Sequence, residues 1–443
     1  MLLVSSIFIF SCPEGRAQEL PLLQVTRNGH YLETMEGKPF FWLGDTAWEL
    51  LHRGNKEEIR FYLEDRAEKG FTVIQTVILA ELDGLNTPNA LGDLPLIDND
   101  PSRLNEAYFR LVDYTIELAE ELGLYVGLLP TWGDKFSKLW ETGPEVFTPK
   151  NALQYGKLLG ERYREHNNII WILGGDRIPE KKVHFEVIEA MAEGILKKDN
   201  RHLITYHPWV THRARSYFDA EWLQLDMYQS GHERNAKEYV YPLESRAMLP
   251  AKPVINGEAR YENIREHFWK ENPGPWLDQA DVRISAYWSM LAGAAGYSYG
   301  CNDVWQLYDE HKEPSIMART GWKTALDLPG AVQMGYMRAF FETLPWQSLV
   351  PDQSLILSDN PEGPAHCRAA RLEDDGSILV YVPRGTPVKV DLSGIPGKAK
   401  ASWFNPRSGL SHPIGIVAGG KSREFKPWAS GRGSDFLLVL DLE

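Results

Sequence analysis

Cysteine is scarce, with 3 in a chain of 443 residues. Cys12, Cys301 and Cys367 are scattered, which excludes both a disulfide framework and a zinc site built on clustered thiolates. A bridge between Cys301 and Cys367 is not favoured, because they fall in different predicted domains. Positive charge is also short. There are 47 Lys and Arg against 61 Asp and Glu, and the net charge is −14. That is the wrong sign for sequence-independent binding to nucleic acid. The sequence has no His-x-His, HExxH or clustered Cys/His set, so neither a catalytic metal nor another cofactor is expected. No stretch reaches transmembrane length.

Aromatic residues, by contrast, are plentiful: 12% of the chain, with 15 Trp. Much of this must fill a core. It also suits a sugar-binding cleft, where indole faces stack on the apolar faces of sugar rings. The acidic balance sets a condition on that reading. An acidic polysaccharide would need local cations near the cleft to offset the overall field. At the start, Leu2 to Phe10 is a short apolar run, and Gly15-Arg16-Ala17 precedes Gln18 with small residues. Residues 1–17 therefore read as a signal peptide, and the protein as secreted or periplasmic. Ile9-Phe10-Ser11-Cys12 loosely matches a lipidation box, which makes a lipoprotein anchored through Cys12 the alternative.

From residue 40 to 345, strand-like and helix-like segments alternate. Eight candidate strands are Phe41-Gly44, Phe71-Leu79, Tyr125-Pro130, Ile169-Leu173, Leu203-Tyr206, Leu223-Met227, Pro253-Asn256 and Ala294-Tyr299. Helical spacing marks Lys56–Lys69, Asn105–Leu122, Leu153–His166, Val183–Lys198 and Ala280–Leu291. The link between the fifth and sixth strands is short and polar, and its helix is uncertain. Eight such units predict a (β/α)8 barrel over residues 18–347. Short alternating runs separated by glycine-rich turns then predict a small antiparallel β-sandwich over 348–443. The boundary falls near Pro345–Pro351.

Two apolar runs end in an acid after glycine. They are Ile169-Ile170-Trp171-Ile172-Leu173-Gly174-Gly175-Asp176 and Pro253-Val254-Ile255-Asn256-Gly257-Glu258. Acids at the C-terminal ends of barrel strands read as catalytic. Two of them on separate strands point to glycoside hydrolysis, which needs one protonated acid at the leaving oxygen. It also needs one carboxylate at the anomeric carbon, as nucleophile or as base for water. Helix capping is the plainer explanation of each acid. Further candidates are substrate-binding. Asp45 and Trp48 belong to the end of the first strand, with Asp45 equally readable as a helix N-cap. Trp132 follows the third strand as a sugar platform. His207 ends the fifth and can orient a carboxylate or donate to a hydroxyl. Tyr228 ends the sixth and can hold the nucleophile by a hydrogen bond. Arg177, with Arg213, Arg215 and Arg260, lies on predicted top loops and can meet a carboxylated sugar.

Three of these segments resemble glycoside hydrolase family 140. They are Trp42-Leu43-Gly44-Asp45-Thr46-Ala47-Trp48-Glu49-Leu50-Leu51-His52-Arg53, Ile170-Trp171-Ile172-Leu173-Gly174-Gly175-Asp176-Arg177 and Asn256-Gly257-Glu258. The C-terminal Trp403-Phe404-Asn405-Pro406-Arg407-Ser408-Gly409 resembles the small β domain labelled collagen-binding in such proteins. The resemblance implies a retaining apiosidase acting on rhamnogalacturonan II, a pectic glycan, with Asp176 as acid/base and Glu258 as nucleophile. Asp176 then needs the higher pKa of the two. The partner implied is a poly- or oligosaccharide, and a monomer is expected. The alternatives are a retaining β-glucanase or β-galactosidase, and a non-catalytic carbohydrate- or matrix-binding protein.

Overall fold

In a computed structural model of the chain, residues 19–442 are described. The predicted leader, with Cys12, lies outside the described residues. The strands β1 (Trp42–Thr46), β2 (Val73–Leu79), β3 (Tyr125–Thr131), β4 (Ile169–Arg177), β5 (Ile204–Pro208), β6 (Asp226–Gln229), β7 (Val254–Glu258) and β8 (Gly296–Tyr299) form one parallel sheet in the order β5-β4-β3-β2-β1-β8-β7-β6. The seam between β5 and β6 is closed by Gln224, whose backbone N–H donates to the Ile204 carbonyl at 3.0 Å. Its side-chain oxygen accepts from the Ile204 N–H at 2.8 Å. A TIM-like (β/α)8 barrel results. Burial on both faces explains why these strands read as continuous apolar runs rather than alternating ones. Of all residues in the eight strands, Asp176 alone is only partly buried.

Helices α1 (Lys56–Glu68), α2 (Glu106–Glu121), α3 (Pro149–Tyr163), α4 (Lys182–Leu196), α5 (Val240–Arg246), α6 (Gln279–Leu291) and α7 (Pro329–Phe341) surround the barrel. Their starts follow capping chemistry. Asn55 and Glu58 make a reciprocal capping box at α1, and Thr148 caps α3 just before Pro149. The doubtful link between β5 and β6 holds only a 3-10 turn, Ala214–Ser216. Strand β6 begins three residues later than its apolar run predicts. Leu223 and Leu225 are buried, but in the segment that closes the seam. Three short antiparallel strands, Leu23–Val25, Leu32–Thr34 and Pro39–Phe40, precede the barrel and are too short to carry a readable pattern.

A six-stranded antiparallel sheet follows, in the order Leu349–Pro351, Arg368–Leu372, Ile378–Val382, Phe436–Leu442, Lys398–Asn405, Leu410–Ala418. A two-stranded sheet, Val388–Val390 with Arg423–Phe425, faces it. The alternation of side chains along a strand divides its interior into two cores. Leu437 and Val439 join Leu379, Tyr381 and Phe404 in the core shared with the barrel. Phe436, Leu438 and Leu440 join Val380, Val382, Trp403 and Phe425 in a second core under the small sheet. Helix α6 lies between barrel and sheet and is buried from Ala280 to Leu291. Tyr287 stacks on Tyr381, with centroids 4.7 Å apart and planes at 8°. Arg283 Nη2 reaches Asp435 Oδ1 at 2.6 Å, and Tyr381 donates its hydroxyl to the other Asp435 oxygen at 3.0 Å. Cys301 and Cys367 are buried free thiols. Among the described residues, no helix is long and apolar enough to cross a membrane.

Candidate active site

The end of β4 is bent. Gly174 and Gly175 have φ of 89° and 111°, and Asp176 follows at 51°. The pairing of β4 with β5 slips between Gly174 and Arg177. A Cβ on Gly174 would sit 2.5 Å from the Tyr206 ring, and one on Gly175 would sit 2.9 Å from the Trp132 indole. Both positions therefore demand glycine, for conformation and for space. Asp176 has a Cβ and holds the left-handed conformation at a cost of about 1–3 kcal/mol. The bend takes its side chain off the strand and into the mouth of the barrel. Asp176 Oδ1 is buried without a partner in the protein. Burial and the nearby Glu258 charge push the Asp176 carboxyl well above the usual range; Arg177 and Gln229 oppose the rise without cancelling it.

Glu258, at the end of β7, is 5% exposed. Its Oε2 lies 3.1 Å from His207 Nε2, a contact bent away from linear donation, and its Oε1 lies 3.3 Å from His232 Nε2. The Asp176 backbone N–H donates to His207 Nδ1 at 3.2 Å, and the Tyr261 N–H to His232 Nδ1 at 3.4 Å. Each Nδ1 is thus an acceptor, and this assigns the proton of both rings to Nε2, facing Glu258. Burial alone would raise the Glu258 pKa. The two imidazoles outweigh it and hold the carboxyl well below the usual range. Trp48 Nε1 donates to the Tyr261 hydroxyl at 2.8 Å. The phenol proton is left to face Glu258, and burial and that charge keep the phenol protonated. Below, Gln75 on β2 donates to the Gly257 carbonyl at 2.9 Å and fixes the backbone that carries Glu258. The two acids thus carry opposite shifts, the pairing a glycosidase divides between acid and nucleophile.

Residues 26–348 match the family model described as an apiosidase-like catalytic domain. The chain belongs to the apiosidase-like family. Residues 350–441 of this glycoside hydrolase match a model described as a collagen-binding domain of a collagenase. A solved structure titled "Glycoside hydrolase" is 32% identical, covers 96% of this chain and 97% of its own, and superimposes with a TM-score of 0.88. A glycoside hydrolase family 5 structure from Bacteroides vulgatus is 33% identical, with 95% and 93% covered and a TM-score of 0.88. A family 39 glycoside hydrolase from Bacteroides cellulosilyticus, 11% identical with 90% and 80% covered and a TM-score of 0.52, shares the fold. Comparison with curated proteins found no match.

In the apiosidase-like barrel, several predicted site residues stand elsewhere than expected. Asp45 neither caps a helix nor faces the cleft. It is fully buried, 2.6 Å from Arg66 Nε, and accepts the Tyr62 hydroxyl at 2.7 Å on the helix side of the barrel. Tyr228 also points outward, donating to Ser289 Oγ on α6 at 2.9 Å and stacking on Tyr241. Side chains alternate along a strand, so it is the next residue, Gln229, that reaches Asp176. The contact to the nucleophile candidate belongs to Tyr261. Trp48 and Trp132 do stand at the site, their rings 5.3 Å apart and each against His207. At 2% and 3% exposed, they are walls of the histidine rather than open platforms. Arg177 is spent on the protein. Its guanidinium holds the carbonyls of Ser137, Lys138 and Asp176 and pairs with Glu141 at 2.9 Å. Arg213 pairs with Glu244, Arg215 with the carbonyls of Leu249 and Pro250, and Arg260 with Glu238.

Among the residues of the site that escaped the reading of the sequence are His232, Tyr261 and Glu81. His232 and Tyr261 lie three residues past the ends of β6 and β7, and Glu81 lies two past β2. The strand-end signal that marked His207 extends to all of them, one turn of loop further on. Glu81 is pushed well above the usual range by burial and by Glu141, Glu49, Asp176 and Asp134. Among the described residues, no group of three His, Cys, Asp or Glu side chains is arranged to hold a metal ion. Two strings fit motifs of other chemistry without their context. Gly296-Tyr297-Ser298-Tyr299-Gly300 matches a serine nucleophile elbow, but Ser298 is buried inside β8 and accepts from Trp42 Nε1 at 3.1 Å. Gly415 to Ser422 matches a phosphate loop, yet it joins two strands and no helix follows.

Proposed function

We propose that this glycoside hydrolase is a secreted retaining apiosidase acting on rhamnogalacturonan II by double displacement. The observation that carries the mechanism is the opposite displacement of the two carboxyl groups about one histidine. Glu258, charged and flanked by the Nε2 atoms of His207 and His232, attacks the anomeric carbon. Asp176, protonated, gives its proton to the leaving oxygen. Water then enters, Asp176 takes its proton, and the glycosyl–Glu258 ester is released. The substrate rests on the family match and on the electrostatics of the floor. Glu81, Glu141 and Asp176 crowd one another there, while Arg177, Arg213, Arg215 and Arg260 are engaged by the protein. With those four arginines engaged, the pocket favours a neutral sugar such as apiose over a carboxylated one.

The test is digestion of rhamnogalacturonan II beside β-glucans and galactans, with product sizing and NMR of the anomer first formed. Free apiose of retained configuration is expected. Large fragments from a glucan would move the specificity elsewhere, and an inverted anomer would recast Glu258 as a base. Glu258→Gln is nearly isosteric and is expected to fold, with turnover lowered about 10³-fold or more as nucleophile and charge vanish together. Asp176→Ala is expected to slow deglycosylation, with azide restoring turnover and yielding a glycosyl azide of retained configuration.

A further inference from the structure

Trp140, in the loop after β3, is 59% exposed, far more than an indole in a folded interior. It is held rather than loose. The Arg177 guanidinium lies over its ring at 4.5 Å from the centroid, and Trp209, in the loop after β5, leans against it at 4.8 Å and 56°. Arg177 is itself locked by Glu141 and by three carbonyls, one of them that of Asp176. A chain of direct contacts therefore runs from the carbonyl of the acid candidate, through one buried cation, to an open aromatic face. In glycoside hydrolysis the acid gives its proton to the leaving oxygen, so the leaving sugar lies on the acid's side.

We propose that Trp140, braced by Trp209 and Arg177, is the stacking platform for the saccharide on the leaving side of the scissile bond. This rests on the glycosidase reading above and adds the site that reads the aglycone. The ligand class is a sugar ring with an apolar face, packed on the indole face that Arg177 leaves free. Fixing the indole in advance removes most of the ordering cost of binding, which suits a platform and is not needed for loop packing.

The experiment separates binding from chemistry. Wild type, Trp140→Ala, Trp140→Phe, Trp209→Ala and Glu258→Gln are run on affinity gels containing rhamnogalacturonan II, galactan or β-glucan. Turnover is measured on a rhamnogalacturonan II oligosaccharide and on apiosyl fluoride, which has no leaving sugar. Trp140→Ala is expected to lose retardation and to lose about 10- to 100-fold in kcat/KM on the oligosaccharide, at least tenfold more than on the fluoride. Trp140→Phe is expected to recover most of the loss, and Glu258→Gln to keep retardation while losing turnover. Trp428→Ala, an exposed indole of the small domain, serves as the neutral control. Equal losses on both substrates, unchanged retardation of Trp140→Ala, or no retardation of wild type by any glycan would overturn the platform. Full turnover by Glu258→Gln would instead overturn the mechanism and leave the gel result standing.

Discussion

His207 touches both acid candidates from opposite sides of one ring, the Asp176 backbone at Nδ1 and the Glu258 carboxylate at Nε2. Its tautomer is therefore tied to the position of one acid and to the charge of the other. His232 has only the second task. The two imidazoles offset the burial of Glu258, so removing one lets burial act. We expect His232→Ala to move the acidic limb of the kcat/KM profile to higher pH, while the alkaline limb, set by Asp176, stays in place. A profile that falls in height without moving would show that His232 does not hold the charge. At this scale the sequence told part of the story. The acids were legible because each closes an apolar run at glycine. Direction was not legible. Tyr228 and Gln229 are neighbours in the chain, and only the pleat decides which of them enters the barrel.

The bend at Gly174–Asp176 is a property of the element rather than of any one side chain. Gly174→Ala must relieve both a left-handed φ and a 2.5 Å contact with Tyr206. A loss of about 2–4 kcal/mol in stability is expected from strain and overpacking together, with kcat/KM falling at least tenfold as Asp176 swings out. Chemical denaturation and kinetics on one sample would check both. A second element carries a different strain. Glu262 accepts from the Tyr299 hydroxyl at 2.8 Å and from the Gly330 N–H in the first turn of α7 at 3.0 Å. Burial, the largest cause, lifts its pKa from 4.5 to about 7. The folded state thus holds a proton that the unfolded state has released between these values. The contribution of Glu262 to stability falls as pH rises through that window, by up to about 3 kcal/mol, and is level above it. Glu262→Gln keeps the acceptor and loses the titration. Its melting temperature at pH 8 is expected to exceed that of wild type, and its stability to fall less steeply than wild type between pH 4.5 and 7. The same distinction governs what was legible in the elements. Long apolar strands and capped helices announced themselves. The two- and three-residue strands before the barrel and the late start of β6 depend on pairing that no local pattern records.

Barrel and C-terminal sheet share one core, with Arg283 and Asp435 buried between them. Asp435→Ala would strand the guanidinium in that core and is expected to cost about 3–5 kcal/mol, seen as a lower midpoint of unfolding by urea. A chain ending at residue 347 would expose the outer face of α6 and is expected to aggregate, as light scattering would show. Wild type is expected to unfold in a single transition, because one continuous core joins the two parts. The sheet was predicted from its turns. Its role in covering α6 was not, since Asp281, Arg283, Ser285 and Ser289 stand among the apolar residues of that helix and mark no second face for burial. The strand Phe436–Leu442 sits between Ile378–Val382 and Lys398–Asn405, although it follows both in the chain. During synthesis, both flanking strands leave the ribosome before the strand that joins them. Until it arrives, the sheet is two unjoined pieces and Arg283 on α6 still waits for Asp435. A premature stop at position 436 would therefore harm the enzyme nearly as much as one a hundred codons earlier, and quality control must wait for the last strand before it can tell a finished molecule from an unfinished one.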